Sequence, residues 1–226
     1  MNARLSIVVP VLNEAATIGA TLDALAEYRS AGAEILVVDG GSDDATPQLC
    51  VGRADHVLPS PPGRARQMNA GAARSRGDLL LFLHADTHLP PGAPELIDAA
   101  LAPGAALWGR FDVRIAGRSM MFPLIAALMN LRSRWSGIAT GDQAIFVRRD
   151  TFARVGGFPD QPLMEDIELS RRLRSLGRPA CLVARVTTSG RRWERLGVWR
   201  TIALMWRLRL LYRLGTPADK LAKAYR

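Results

Sequence analysis

The apolar run Leu79-Leu80-Leu81-Phe82-Leu83 breaks off abruptly into His84-Ala85-Asp86. Five consecutive uncharged side chains fit a strand buried on both faces, and such strands belong to parallel sheets covered by helices. Two further runs share this form: Leu5 to Val11 leads into Asn13-Glu14, and Glu34 to Val38 ends in Asp39. In open α/β sheets the ligand crevice lies outside the carboxyl ends of the strands. The sequence therefore predicts one sheet edge that gathers Asn13, Glu14, Asp39, His84 and Asp86, with Glu165-Asp166 as a fourth acidic signal brought to it.

Between these runs the spacing turns helical. Ile18, Leu22 and Leu25 recur within a helix expected from Glu14 to Ala31, which Gly32 stops. After Asp39, the turn Gly40 to Thr46 launches another helix with Ser42 or Asp43 as its cap. Asp55 to Leu58 reads as a short strand, Pro59 to Gly63 as loop, and Gly63 to Arg76 as a basic helix whose N-terminus suits an anion. Helices are expected at Pro90 to Leu101, Met120 to Arg134 and Met164 to Leu176, and strands at Ala105 to Ile115, Ala144 to Arg148 and Pro179 to Val186. This alternation predicts an α/β domain around a mostly parallel sheet over residues 1–193. Residues 194–226 are expected to form a helical tail packed on the domain, on a partner subunit or on a membrane surface.

A chain of 226 residues can bury a sizeable core, and 48% hydrophobic with 23% charged residues excludes general disorder. The two cysteines match no metal spacing and are expected to be reduced, as in a cytoplasmic protein. No basic n-region precedes the first strand, so no secretory signal is expected. Ser119 to Leu131, the longest uncharged apolar stretch, falls short of the roughly 20 residues that span a bilayer. The net charge of +9 favours anionic partners: phosphates, nucleic acid or an acidic membrane surface. Met120 to Leu131 and the Trp-, Leu- and Arg-rich stretch Trp193 to Arg213 suit peripheral membrane contact, and equally packing on the domain or in a homodimer.

Each polar signal has two readings. Asp39-Gly40-Gly41-Ser42 serves as a capping turn as readily as a ligand loop, and it lacks the G-x-G-x-x-G pattern of dinucleotide folds. His84 and Asp86, two residues apart at a strand end, are expected to point the same way and to share a divalent ion or a ribose; a histidine satisfied at the strand edge is the plainer reading. Glu165 and Asp166 complement a helix dipole, or supply a general base. Arg64, Arg66, Arg191 and Arg192 are either solvated or phosphate partners.

Taken in order, Pro10 with Asn13-Glu14, Asp39 to Thr46, Gly63 to Gly71, His84-x-Asp86, Gly141-Asp142-Gln143 and Glu165-Asp166 closely resemble the family-2 nucleotide-sugar glycosyltransferases over residues 5–193. Length, Phe82 to Thr87 and Arg191-Arg192-Trp193 make the chain similar to the short bacterial radical-SAM/selenodomain-associated transferases. The resemblance implies a GT-A fold in which Pro10, Asn13, Glu14 and Asp39 hold the base and ribose, while Gly63, Arg64, Gln67 and Asn69 line the nucleotide. It places a divalent cation, Mn²⁺ or Mg²⁺, on Asp86 with His84, the latter standing where the family's Asp-x-Asp motif has its first aspartate. Asp166 is the implied base. Glu165, Gly141, Asp142 and Gln143 shape the implied acceptor pocket, with Arg192 and Trp193 beside it.

The implied reaction is an inverting, metal-assisted hexosyl transfer from a nucleotide-diphosphate sugar, a UDP-sugar first, to an acceptor hydroxyl. It implies no nucleic-acid partner, and a location in the cytoplasm or at the inner face of the membrane. Arg192-Trp193 resembles the end of the Gln-x-x-Arg-Trp motif of polymerising members, but the glutamine is absent, so polymer synthesis is not implied. Two alternatives stand beside this reading. A sugar nucleotidyltransferase would carry a glycine-rich loop where this chain has Pro10 to Glu14, and a non-catalytic nucleotide-binding scaffold is favoured by the missing motif aspartate.

Overall fold

The computed structural model describes residues 5–225. The chain runs β1 (Leu5–Val11), α1 (Ile18–Ser30), β2 (Glu34–Asp39), α2 (Thr46–Cys50), β3 (His56–Pro59), α3 (Arg64–Arg74) and β4 (Leu79–Phe82). It continues with β5 (Thr87–His88), α4 (Ala93–Ala100), β6 (Trp108–Ala116), α5 (Phe122–Ser136), a 3₁₀ turn at Gly141–Gln143, β7 (Phe146–Arg148) and α6 (Arg149–Arg154). Then come α7 (Glu165–Leu176), β8 (Ala180–Ser189), α8 (Arg191–Leu196), α9 (Val198–Arg213) and α10 (Ala218–Tyr225).

The strands form one sheet in the order β3-β2-β1-β4-β7-β6-β8-β5. Strands β1 to β4 pair in parallel, with Val8 opposite Leu36 on one side and Phe82 on the other. Successive side chains then serve opposite faces. Ile7, Val9, Ile35, Val37 and Leu81 pack under α1, α4 and α5, while Val8, Leu36, Val38, Leu80 and Phe82 pack under α3, α6 and α7. Burial on both faces is why these strands read as unbroken apolar runs.

The sheet is mostly parallel, and β7 is antiparallel to both its neighbours. The chain reaches β7 from the Gly141–Gln143 turn, which lies at the carboxyl end of β4, so β7 must run back the other way. The two-residue β5, absent from the sequence reading, pairs antiparallel with β8. Helix α1 starts at Ile18 rather than Glu14; the Thr17 and Ile18 amides turn onto the Glu14 carbonyl, and the Glu14 and Ala15 amides bind the side chains of Thr46 and Asp44. Neither Ser42 nor Asp43 caps α2. Its Thr46 amide donates to Asp44 instead, and Ser42 binds Asp39 and the Asn13 amide.

The tail packs on the domain. Leu208 of α9 and Leu221 of α10 form a cluster with Leu163 and Met164, just ahead of α7, and Ile167 joins it. Among the described residues no helix is long and apolar enough to cross a membrane.

Helix α3 lies close against β1 at Gly71, where a Cβ would collide with the Val8 side chain. Gly71→Ala should therefore destabilise the fold by about 1–3 kcal/mol through overpacking, despite alanine's better helix propensity. Urea unfolding checks this: the midpoint falls with an unchanged slope, and an unchanged or raised midpoint refutes the close approach.

Candidate active site

A cavity of about 860 Å³ opens at the carboxyl edge of the parallel strands. Pro10 and Val11 end β1 at its floor, His84, Ala85 and Asp86 follow β4, and Gly63, Arg64 and Gln67 bring the first turn of α3. Gly141, Asp142, Glu165 and Asp166 line it next to His84, with Asp142 beside the imidazole. The third wall comes from the tail: Arg191, Arg192, Trp193 and Arg195 on α8, and Thr201, Met205 and Arg209 at four-residue spacing on one face of α9. Of the α9 residues none was singled out as a site residue from sequence. Their i, i+4, i+8 spacing was the available signal.

The loops that carry this site are stitched to each other. Asn13 donates its amide to Ser42 Oγ and accepts the Asp43 amide on Oδ1, which ties the exit of β1 to that of β2. The Asp39 carboxylate receives the Gly41 and Ser42 amides and the Ser42 hydroxyl. Gln67 Nε2 bridges the Val11 and Val38 carbonyls where β1 and β2 part. Among the described residues, the non-glycine residues in the left-handed region are Asn13, Ala144 and Met164. Each adjoins a loop of the cavity, which is where stored backbone strain usually gathers.

Not every expected site residue lines the cavity. Asn69 spends both ends of its amide on the Phe158 backbone, and Gln143 is fully buried with Oε1 on the Thr140 amide. Asn13 and Asp39 stand outside its lining, turned to the loop contacts just described. Arg66 is paired with Asp160 at 2.7 Å and also lies outside.

His84 and Asp86 both line the cavity, with different partners. Strand β4 ends at Phe82, and the Thr87 amide closes a turn onto the His84 carbonyl, so strand alternation no longer relates the two side chains. His84 Nδ1 stands 3.4 Å from Asp142 Oδ1, and its ring lies so close to Gly141 that a Cβ there would strike it. Asp86 instead shares Arg191 with Glu14, at 3.5 and 3.4 Å. Among the described residues no three His, Cys, Asp or Glu side chains gather as a metal cluster. A hard cation on a diphosphate needs only one or two protein carboxylates, and the partly exposed Asp86 fits that requirement.

The acidic groups are differentiated by their surroundings. Both oxygens of Asp166 accept backbone amides, from Gly141 at 2.9 Å and Ile167 at 2.7 Å, which fixes the carboxylate and leaves lone pairs free. Burial, then the Asp166 charge, raises the pKa of Glu165, with Arg64 opposing. For Asp142 burial works upward, but His84, Arg64 and Arg209 outweigh it and hold the carboxyl below its usual range.

The glycosyl transferase family 2 profile matches residues 6–158. The chain belongs to that family. The probable glycosyltransferase YdaM of Bacillus subtilis strain 168 is 28% identical over 198 residues, covering 77% of this chain and 47% of its own. The chain thus spans about half that relative's length. S. aureus TarS 1-349 in complex with UDP matches with a TM-score of 0.67 at 19% identity, over 82% of this chain and 60% of that one. The mannosyltransferase PcManGT from Pyrobaculum calidifontis, in complex with GDP-Man and Mn²⁺, matches at 0.66 and 20%, over 100% and 70%. These likenesses show the GT-A fold.

The raised pKa of Glu165 has a stability consequence. A carboxyl that holds its proton more tightly when folded contributes fully below the unfolded value of 4.5, and that contribution is lost as pH rises through the folded value. Glu165→Gln removes the loss, so the variant should gain on wild type as pH rises from about 4 to about 8. Paired urea titrations across that range decide it, and a pH-independent difference refutes it.

Proposed function

We propose that this family-2 chain is an inverting glycosyltransferase that moves a sugar from a nucleoside-diphosphate donor to an acceptor hydroxyl, with Asp166 as the base. The observation that carries the reading is one cavity faced by Asp86 from the nucleotide half of the chain and by an amide-fixed Asp166 from the other half. Asp166 accepts the hydroxyl proton as the new glycosidic bond forms, and the sugar–phosphate bond breaks on the opposite side of the ring. The departing nucleoside diphosphate carries the negative charge away. Arg64, which makes no hydrogen bond or ion pair among the described residues, and the first turn of α3 are placed to meet that charge.

Asp86 would hold a divalent cation on the diphosphate, and that ion supplies charge neutralisation to the leaving group. The Mn²⁺ and GDP-Man held by PcManGT support this part of the reading, and UDP on TarS supports a nucleoside-diphosphate donor. The segment after β1, Leu12-Asn13-Glu14, has no glycine, which speaks against the nucleotidyltransferase alternative.

Asp166→Asn should leave nucleotide affinity near wild type while transfer falls by roughly 10²–10⁴-fold, the usual loss for a positioned base. Asp86→Ala, in the same calorimetric titrations, should remove the metal dependence of nucleotide binding. Near-normal transfer by Asp166→Asn with saturating acceptor shifts the role to Asp142.

A peripheral membrane location is favoured by one further observation. Leu124, Leu128, Leu131 and Trp135 form an exposed stripe on α5, with Trp135 86% exposed, and Trp199 and Trp206 stand 72% and 75% exposed on α9. Aromatic and apolar side chains set among arginines on a chain of charge +9 match an anionic lipid interface. Salt-sensitive flotation with anionic liposomes is expected; a dimer in sedimentation with no liposome binding refutes it.

A further inference from the structure

Helix α5 carries two arginines in sharply different settings. Arg134 is satisfied: Nη2 lies 2.6 Å from Asp112 and Nη1 donates to the Cys181 carbonyl, while Arg110 also binds Asp112. Arg132 is not. Its Nε and Nη2 are buried with no partner, and burial together with the Arg209 charge brings its pKa down to about 10. Arg209, on the cavity-facing stripe of α9, likewise has no hydrogen bond or ion pair among the described residues.

A buried guanidinium without a partner is costly, because it has lost water and gained no acceptor. Asp166 and Asp142 act on Arg132 and Arg209 through their charges, yet neither closes to an ion pair with them. Arg132 lies one turn of α5 past Met129, which lines the cavity, and no carboxylate closes on it or on Arg209; a phosphate monoester, with about two negative charges near neutral pH, would supply the missing acceptors. The nucleotide's own diphosphate is the ligand proposed above for Asp86 and the first turn of α3.

We infer that Arg132 and Arg209 form a phosphate subsite for the acceptor, so that the hydroxyl that reacts at Asp166 belongs to a phosphate-bearing molecule. The inference rests on the glycosyltransferase reading and names its acceptor class. Guanidinium forks hold phosphate bidentately, so the subsite fixes the acceptor's orientation as well as its charge. The phosphate is either that of a small soluble compound or that of a lipid headgroup lying in the membrane beside α5 and α9.

The test is calorimetric titration of the full chain with inorganic phosphate while UDP and Mn²⁺ are held at saturation. Wild type should bind phosphate alongside UDP, and Arg209→Gln and Arg132→Gln should each weaken phosphate by roughly tenfold without changing UDP affinity. Should Arg132→Gln fail to fold, Arg209→Gln, on the cavity side of α9, carries the test alone. Competition between phosphate and UDP overturns the inference by assigning these arginines to the donor, as does phosphate binding unchanged in the variants or absent from wild type. A chain that binds neither UDP nor GDP refutes the glycosyltransferase reading instead, and phosphate titrated alone then still decides the subsite. Flotation with phosphatidic acid against phosphatidylcholine vesicles separates the sources: loss of phosphatidic-acid binding in Arg209→Gln assigns a lipid phosphate, and no difference assigns a soluble one.

Discussion

The order in which the parallel strands are laid down governs everything at the cavity. The chain builds β1, β2 and β3 outward in one direction, then returns across the sheet through α3 and places β4 on the other side of β1. Helices α1 and α3 consequently leave the sheet on opposite faces, and the loops after β1 and β4 diverge around a gap. This reversal is the topological switch point where open α/β sheets bind ligands. Close approach of α3 at Gly71 and the Gln67 bridge to the Val11 and Val38 carbonyls hold the gap's edges in register.

The wall of the cavity that carries Glu165 and Asp166 depends on a part of the chain outside that sheet. Glu165 and Asp166 follow Met164, whose left-handed backbone costs of order 1–3 kcal/mol and must be held by its surroundings. Those surroundings are the tail, since Met164 and Leu163 are buried against Leu208 and Leu221. The same α9 that buries Leu208 inward turns Met205 and Arg209 to the cavity. A tail that looks like an appendage in sequence is therefore a wall of the site and a clamp on the loop that aims the candidate base.

What could be read from the sequence follows from how strongly each position is constrained by neighbours close in the chain. Strands β1, β2 and β4 were legible because burial on both faces leaves unbroken apolar runs. Residues such as Asp86, Gly141 and Asp166 were legible because the family motifs hold them, and the structure brings them to one cavity. Asn69 and Gln143 stand in the same motifs, yet their amides satisfy backbone groups far away or buried, and nothing local tells such a role from ligand binding. His84 reaches the cavity as expected, but its neighbour there, Asp142, was not legible, because strand alternation stops with β4 at Phe82. Arg132 and Arg209 were hidden because α5 and α9 are apolar and basic around their circumference, so the meaningful face appears only once packing selects it.

Charge pairing around the cavity shows the same division of labour as the strands. On the side proposed for the nucleotide, Arg191 is set between Glu14 and Asp86, while Arg64 has no ion pair among the described residues. A donor diphosphate would meet Arg64 there and exchange partners with Arg191, with its ion on Asp86. On the acceptor side the carboxylates are held by other groups, Asp142 by His84 and Asp166 by two backbone amides. The guanidinia of Arg132 and Arg209 are left without acceptors, and Asp166 has no salt bridge that would compete for a proton in the proposed role of base. An arginine closed onto Asp166 would stabilise the resting protein and weaken the base. In the proposed reading those two demands are separated, because the positive charge is left for the ligand.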